Sequence, residues 1–291
     1  MAQIAKRLPE NVEGDFFVDA SCIDCDACRQ IAPASFRDHG GQSSVYHQPR
    51  NPGERHRAFM ALVACPTASI GTVPHRSARQ GVEAFPVHVV DDVNFCGFTS
   101  EASFGAWAYL IVRPHEQGGN VLVDSPRFTG PLVRRIEEMG GVSLMYLSHR
   151  DDIADHAKFA AHFHCPRMMH DGDNAAALGI ERVTTGTDPV RIDDDLFSIP
   201  TPGHTRGHQV LLYRNKVMFS GDHLAWSPVR NTLTAFRDVC WFSWREQTRS
   251  MEKLLTYRFE WVLPGHGRIH HGSAEEMHEH LKCCVATMKS S

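Results

Sequence analysis

The sequence predicts an α/β chain in two parts: a small α+β part in front and a larger, layered α/β part behind. Three observations predict it. Cys22, Cys25 and Cys28 stand near the start with two residues between each and the next, and a lone Cys-Pro pair comes later at Cys65–Pro66. A polar run, 74–84, has no apolar periodicity and divides the cysteine-rich front from the longer remainder. Beyond it strand and helix patterns alternate, and four of the strands end in His149, His204, Asp222 and His266. Alternation of this kind builds sheets covered by helices, with sites where several strand ends converge. The expected boundaries are 12–73 for the first domain, 74–84 for the linker and 85–286 for the second domain.

Bulk composition narrows the function classes. At 42% hydrophobic and 22% charged residues the chain is an ordinary globular protein. A net charge of −4 gives no reason to expect nucleic acid or an anionic membrane as partner. No stretch approaches the ~20 apolar residues of a membrane span. The opening MAQIAKRLPENVEGD lacks an apolar signal core, so a cytoplasmic location is expected. Nine cysteines cannot all pair, and clustered cysteines in such a setting are more often metal ligands than disulfides. Nineteen histidines point the same way.

In the first part, FFVD reads as a strand, ERHRAFMALVA as a helix ending before Cys65, and ASIGTV as a return strand. Three close thiolates can wrap one face of an iron–sulfur cube, and a fourth from a distant turn can close it. The spacing resembles bacterial-type ferredoxins. It departs from their two-cluster form at one position: where the fourth cysteine of the run would serve a second cluster stands Ala32, with Pro33 after it. The expectation is therefore one [4Fe–4S] cluster on Cys22, Cys25, Cys28 and Cys65. A zinc knuckle fits less well, because zinc motifs pair C-x2-C with a second close pair. The other five cysteines show no ligand spacing.

In the second part, AWAYLIV and NVLVD read as strands, FTGPLVRRIEEMG as an amphipathic helix, and VSLMYLSH as a strand. DHAKFAAHF opens a helix, and SWREQTRSMEKLLTY is a long one. The motifs TPGHTRGH, FSGD and LPGHG come in order after the loop SHRDDIADH. Glycines Gly203, Gly221 and Gly265 let the backbone turn sharply beside a ligand. This set resembles the metallo-β-lactamase superfamily over residues 85–285. The resemblance implies an αββα sandwich with two divalent metal ions, zinc or iron, at one edge of the sheets. It implies His149 and His204 on the first metal, Asp222 between the two, and Asp155, His156 and His266 on the second. It places Asp124 as an acid that orients ligands, and His208 as a support for His204.

The loop 148–156 departs from that superfamily's H-x-H-x-D-H. The second histidine is missing and the stretch is two residues too long. Asp151 has the spacing of the missing ligand; Asp152 is its rival, because an early helix start would put it four residues before His156 on one face. Both acids also suit the front of a helix without any metal. A carboxylate in place of imidazole makes the site harder and favours iron or manganese. The flavodiiron proteins of the same superfamily have an acid there.

These resemblances imply three functions. The leading one is a two-metal hydrolase of an ester, thioester or lactone, in which Asp155 also orients the attacking water, with the cluster as an electron-transfer or regulatory module. The second is a non-haem di-iron oxidoreductase fed by the cluster, served by a redox partner protein. The third is a non-catalytic electron-transfer or sensor protein. The aromatic stretch 223–244 offers a wall for a small apolar substrate, or simply a lid.

Overall fold

The computed structural model describes residues 1–290. Its backbone divides into two compact units, Met1–Val112 with Pro126–Gly141, and Arg113–Ser125 with Val142 onward.

The first unit is built on the pair Phe16–Val18 and Ile70–Thr72, antiparallel, with a small hairpin Phe36–Asp38 and Ser43–Val45. Its main helix, Pro52–Ala64, starts where the sequence dictates. Pro52 sits in the first turn, Asn51 caps the Glu54 N–H, and the Glu54 carboxylate reaches back to the Arg50 N–H. That helix buries Phe59 edge-on against Phe16, ring centres 5.1 Å apart. The buried Asn11 side chain bonds the Leu8 and Val18 carbonyls and accepts from the Val18 and Val45 N–H groups. One amide thus ties three segments.

The polar run expected as a linker is not a free tether. It contains the short helix Arg79–Val82, and a Cβ on Gly81 would lie 2.4 Å from the Phe59 carbonyl oxygen. Only glycine lets this turn dock on the main helix, which is why compact packing continues past 84. Beyond it Val87–Val90, Val93–Phe95 and Tyr109–Ile111 form an antiparallel meander. Phe95 stacks on Trp107 at 3.9 Å and meets Phe85 edge-on.

The second unit holds two sheets. Val121–Val123, Leu144–Tyr146, Arg167–His170 and Arg182–Thr184 run parallel in that order. The other sheet has the order Val190–Arg191, Leu196–Pro200, Gln209–Tyr213, Val217–Gly221, Trp261–Pro264, His270–His271. It is antiparallel except where Val217–Gly221 runs alongside Trp261–Pro264. The Tyr146 hydroxyl bridges the layers through Ser198 Oγ and the Val210 carbonyl. Helices Trp244–Leu254 and Ala274–Ser290 cover the outer face of the second sheet. Met251, Leu254, Met277 and Leu281 are wholly buried there against Ile199, Val210, Leu212 and Val262. The sandwich matters for function because Tyr146, Pro200, Gly221 and Pro264 end their strands beside the loops that carry the predicted ligands.

Candidate functional site

Cys22, Cys25, Cys28 and Cys65 line one cavity with Val18, Ile23 and Ile70. Local sequence makes the wrap. Asp24 and Asp26 take left-handed backbone angles, φ 61° and 63°, and coil the loop around a centre. Arg29 locks it, bonding the Asp26 carboxylate through Nε and Asp24 through Nη1 at 2.8 Å. The Ser43 and Ser69 N–H groups point at the Cys22 and Cys65 sulfurs, at 3.4 and 3.3 Å. Burial pushes the Cys25 thiol up to about 12 and the Cys28 thiol higher still. Thiolates form there only against a compensating cationic centre, which iron supplies. An apolar cavity with four convergent sulfurs and N–H donors fits a cluster. Ala32 is buried where a second cluster's ligand would stand.

In the second unit His149, His204 and Asp222 gather as one potential metal group, and Asp152, Asp222 and His266 as another. Asp222 belongs to both. Its Oδ2 lies 3.7 Å from both His149 Nε2 and His204 Nε2, and its Oδ1 accepts from the His266 N–H at 3.0 Å. Burial alone would raise the Asp222 carboxyl, but His266, His149 and His204 together hold it well below the usual carboxylate range. Asp151 Oδ2 stands 3.4 Å from His204 Nε2 and 3.9 Å from His149 Nε2, and His204 beside it lowers its carboxyl. Asp152 is almost fully buried and raised well above the carboxylate range, first by burial and then by Asp222.

These donors fit a metal pair. His149 Nε2, Asp151 Oδ2, both Asp152 oxygens and both His204 nitrogens are buried with no hydrogen-bond partner among the described residues. Such groups are costly unless something else satisfies them, and a cation does so for all of them at once. The backbone leaves the space open: a Cβ on Gly265 would lie 2.3 Å from Asp152 Oδ2 and 2.9 Å from Asp222 Oδ1.

The candidate ligands are oriented from behind. Asp124 accepts from the Ser148 N–H at 2.7 Å and from Ser148 Oγ at 3.0 Å, and Ser148 Oγ lies 2.9 Å from His149 Nδ1. With the hydroxyl proton given to Asp124, the oxygen accepts from His149 Nδ1–H, so the Nε2 lone pair faces the carboxylates. Burial lowers His149 to about 4, keeping the ring neutral, and raises Asp124 to about 7. His208 does not join the ligand groups; its Nδ1 pairs with Thr201 Oγ1 at 2.9 Å, beside His204.

The structure does not bring Asp155 and His156 to the site. Asp155 occupies the N-cap of the helix His156–Phe163 and bonds Lys158 Nζ at 2.7 Å. His156 Nδ1 accepts from Arg167 Nη1 at 3.1 Å. Asp152 takes the place given to them by motif spacing. The reason is the anchored end of the loop: the strand Leu144–Tyr146 and the Asp124–Ser148 clamp fix His149, and residues close behind it turn inward. The two extra residues carry the Asp-His pair away. Asp152 therefore stands beside Asp151 as a second donor rather than as its rival.

Sequence reasoning missed two buried residues. Asp173 accepts from the Arg150 N–H, Thr205 Oγ1 and the Gly207 N–H, at 3.0, 2.6 and 2.7 Å, joining the loop after His149 to the loop around His204. Its only signal is an acid in the turn HDGDN. His223, next to Asp222, is fully buried, and burial lowers it to about 3.

Residues 18–72 match the model of the 4Fe-4S single cluster domain of Ferredoxin I. A metallo-beta-lactamase from Pontibacter korlensis superposes with a TM-score of 0.51 at 16% identity, over 70% of this chain and 98% of that one. The larger part of the chain has the metallo-β-lactamase fold. A metallo-beta-lactamase from Hirschia baltica agrees, with a TM-score of 0.52 at 15% identity over 69% of this chain and 96% of that one. The ferredoxin match supports an iron–sulfur cluster in the first unit. No helix among the described residues is long and apolar enough to cross a membrane.

Proposed function

We propose that this protein is a two-metal hydrolase of an ester, thioester or lactone, carrying one [4Fe–4S] cluster as an electron-transfer or regulatory module. The observation that carries this reading is the position of Asp222 between two donor groups whose buried atoms converge on common points. His149, Asp151 and His204 would hold one ion, Asp152 and His266 the other, with Asp222 between them. Bound there, divalent metals supply Lewis acidity toward water and a carbonyl oxygen, and iron adds one-electron chemistry.

The chain's own groups do the rest. The Asp124–Ser148 relay holds His149 in one tautomer. Asp173 fixes the spacing of the loops behind His149 and His204. The stretch after Cys240 is tied to the site, since the Trp241 and Phe242 N–H groups both donate to the His204 carbonyl, at 2.9 and 3.1 Å. That tie holds two largely exposed aromatics beside a proposed ligand, 59% and 48% exposed, as walls for the apolar portion of a small-molecule substrate.

One observation favours the second reading, a non-haem di-iron oxidoreductase with a redox partner protein feeding the cluster. With Asp151 and Asp152 both facing the site, carboxylates equal imidazoles in number, a harder set than motif spacing implies. Metal analysis after anaerobic purification, with acid-labile sulfide measured alongside, separates the two. About four irons and four sulfides with about two zincs, together with chelator-sensitive hydrolysis without reductant, is the expected result. About six irons, no zinc and reductant-dependent oxygen consumption would replace the hydrolase with the oxidoreductase.

A further inference from the structure

The four cysteines do not account for everything that touches the cluster cavity. Gly105 lies far outside the matched ferredoxin segment, yet a Cβ on it would sit 2.6 Å from Cys25 Cβ, 3.0 Å from Cys25 Sγ and 3.3 Å from Pro66 Cγ. Real side chains do not approach so closely, so the backbone of residue 105 presses on a cluster ligand and on the proline after another. Its φ of +88° is one that only glycine adopts without strain. The turn around it is closed by its own hydrogen bonds, Gly105 N–H to the Ser100 carbonyl at 2.8 Å and Ala106 N–H to the Ser103 carbonyl at 2.9 Å.

The same segment also grips the helix that presents Cys65. Thr99 Oγ1 donates to the Ala64 carbonyl at 2.6 Å; Arg127, from a later stretch whose N–H donates to the Phe98 carbonyl at 2.8 Å, adds a bond from Nη2 to the Val63 carbonyl at 3.3 Å. These are carbonyls of the last turn of Pro52–Ala64, which the helix itself leaves without partners. Thr99 is fully buried. Contacts thus reach the flanks of two cysteine ligands from one segment.

We propose that residues 99–106 complete the iron–sulfur site as a cover, and that Gly105 is the positioning residue that holds Cys25 against its iron. The four cysteines bind; the cover keeps the Cys25 corner from opening. Loss of that corner is a one-electron oxidation: [4Fe–4S]2+ gives [3Fe–4S]+, Fe2+ and one electron, which passes to a one-electron oxidant such as ferricyanide. With Cys25 displaced, its iron–sulfur bond breaks more readily and the iron leaves.

The test uses the full-length protein as Gly105→Ala, with Gly41→Ala as control. Gly41 has the similar φ of +92° and nothing within 4 Å of an added Cβ, so it carries the backbone strain without the contact. Both are purified anaerobically and titrated with ferricyanide while electron paramagnetic resonance tracks the three-iron signal. Gly105→Ala should develop that signal and release about one iron per cluster roughly tenfold faster than wild type, the lower end of what a supporting contact is worth to a metal site. Gly41→Ala should match wild type. Equal rates in the two variants overturn the proposal. If Gly105→Ala does not fold, Thr99→Val decides: it removes one clasp bond without filling space, its fold is checked by circular dichroism, and an unchanged rate of iron release overturns the proposal.

Discussion

The cysteine loop 22–28 and the acidic loop 149–156 are runs of nearly equal length, and both carry candidate ligands at close spacing. They are built in opposite ways. In the cysteine loop the ligand geometry is local: Asp24 and Asp26 supply the left-handed turns, and Arg29 pins both carboxylates. In the acidic loop the geometry is inherited from outside, from the strand Leu144–Tyr146, from Asp124 through Ser148, and from Asp173 through the Arg150 N–H. A locally wound loop keeps its spacing rule. A loop hung between two anchors does not, because an insertion is absorbed at whichever end is held less firmly. Here the His149 end is clamped, so the Asp-His end moved.

The sharpest way to test this contrast is to empty one site and watch the other. Asp222→Ala should lose both metals of the second unit, at least about a hundredfold in affinity, since it removes the shared donor from two groups at once. Iron and sulfide of the cluster should stay at about four each. Cys28→Ala should do the reverse, abolishing acid-labile sulfide while the second-unit metals remain. Loss of both centres in either variant would show that the two loops are not independent.

A finer break lies inside the acidic loop. Asp152→Ala should remove about one metal per chain, whereas Asp155→Ala, at a residue paired with Lys158 and outside both donor groups, should leave metal content at wild type. The opposite pattern would restore the motif's own spacing. Ser148→Ala comes next. It breaks the link between Asp124 and His149 without touching a donor, and metal affinity measured by chelator competition should fall about tenfold.

The smallest effect concerns where His156 went. Glu181 pairs with Arg167, whose guanidinium holds that carboxyl down to about 2 from an ordinary 4.5. A depressed carboxyl adds stability that is present above about pH 4.5 and is lost as pH falls toward 2. Glu181→Gln should flatten thermal stability across that window, by about 1 kcal/mol or less, because the Glu181 side chain is about half exposed and solvent screens it even though Arg167 is buried.

Much of this is legible in the primary structure. The helices Pro52–Ala64, Gly130–Glu138 and Trp244–Leu254 announce themselves by caps and apolar spacing. The run PVHVVDDVNF is less plain: it has five apolar residues, but Asp91 and Asp92 cut them into pieces of three or four residues, which become two strands by pairing with their neighbours. Likewise VPHRSARQGVEAF has a linker's composition, and its docking through Gly81 depends on a backbone approach that no periodicity encodes.

By itself, then, the sequence determined the single-cluster ferredoxin segment, the fold of the larger part, and the strand ends beside which His149, His204, Asp222 and His266 stand. Each rests on contiguous spacing or on a strand that carries its last residue to a known edge. Only the tertiary structure decided that Asp152 faces the site while Asp155 and His156 do not, and that Gly105 lies against Cys25. Those outcomes depend on which end of a loop is clamped and on contacts between residues far apart in the chain, and neither leaves a mark in local composition.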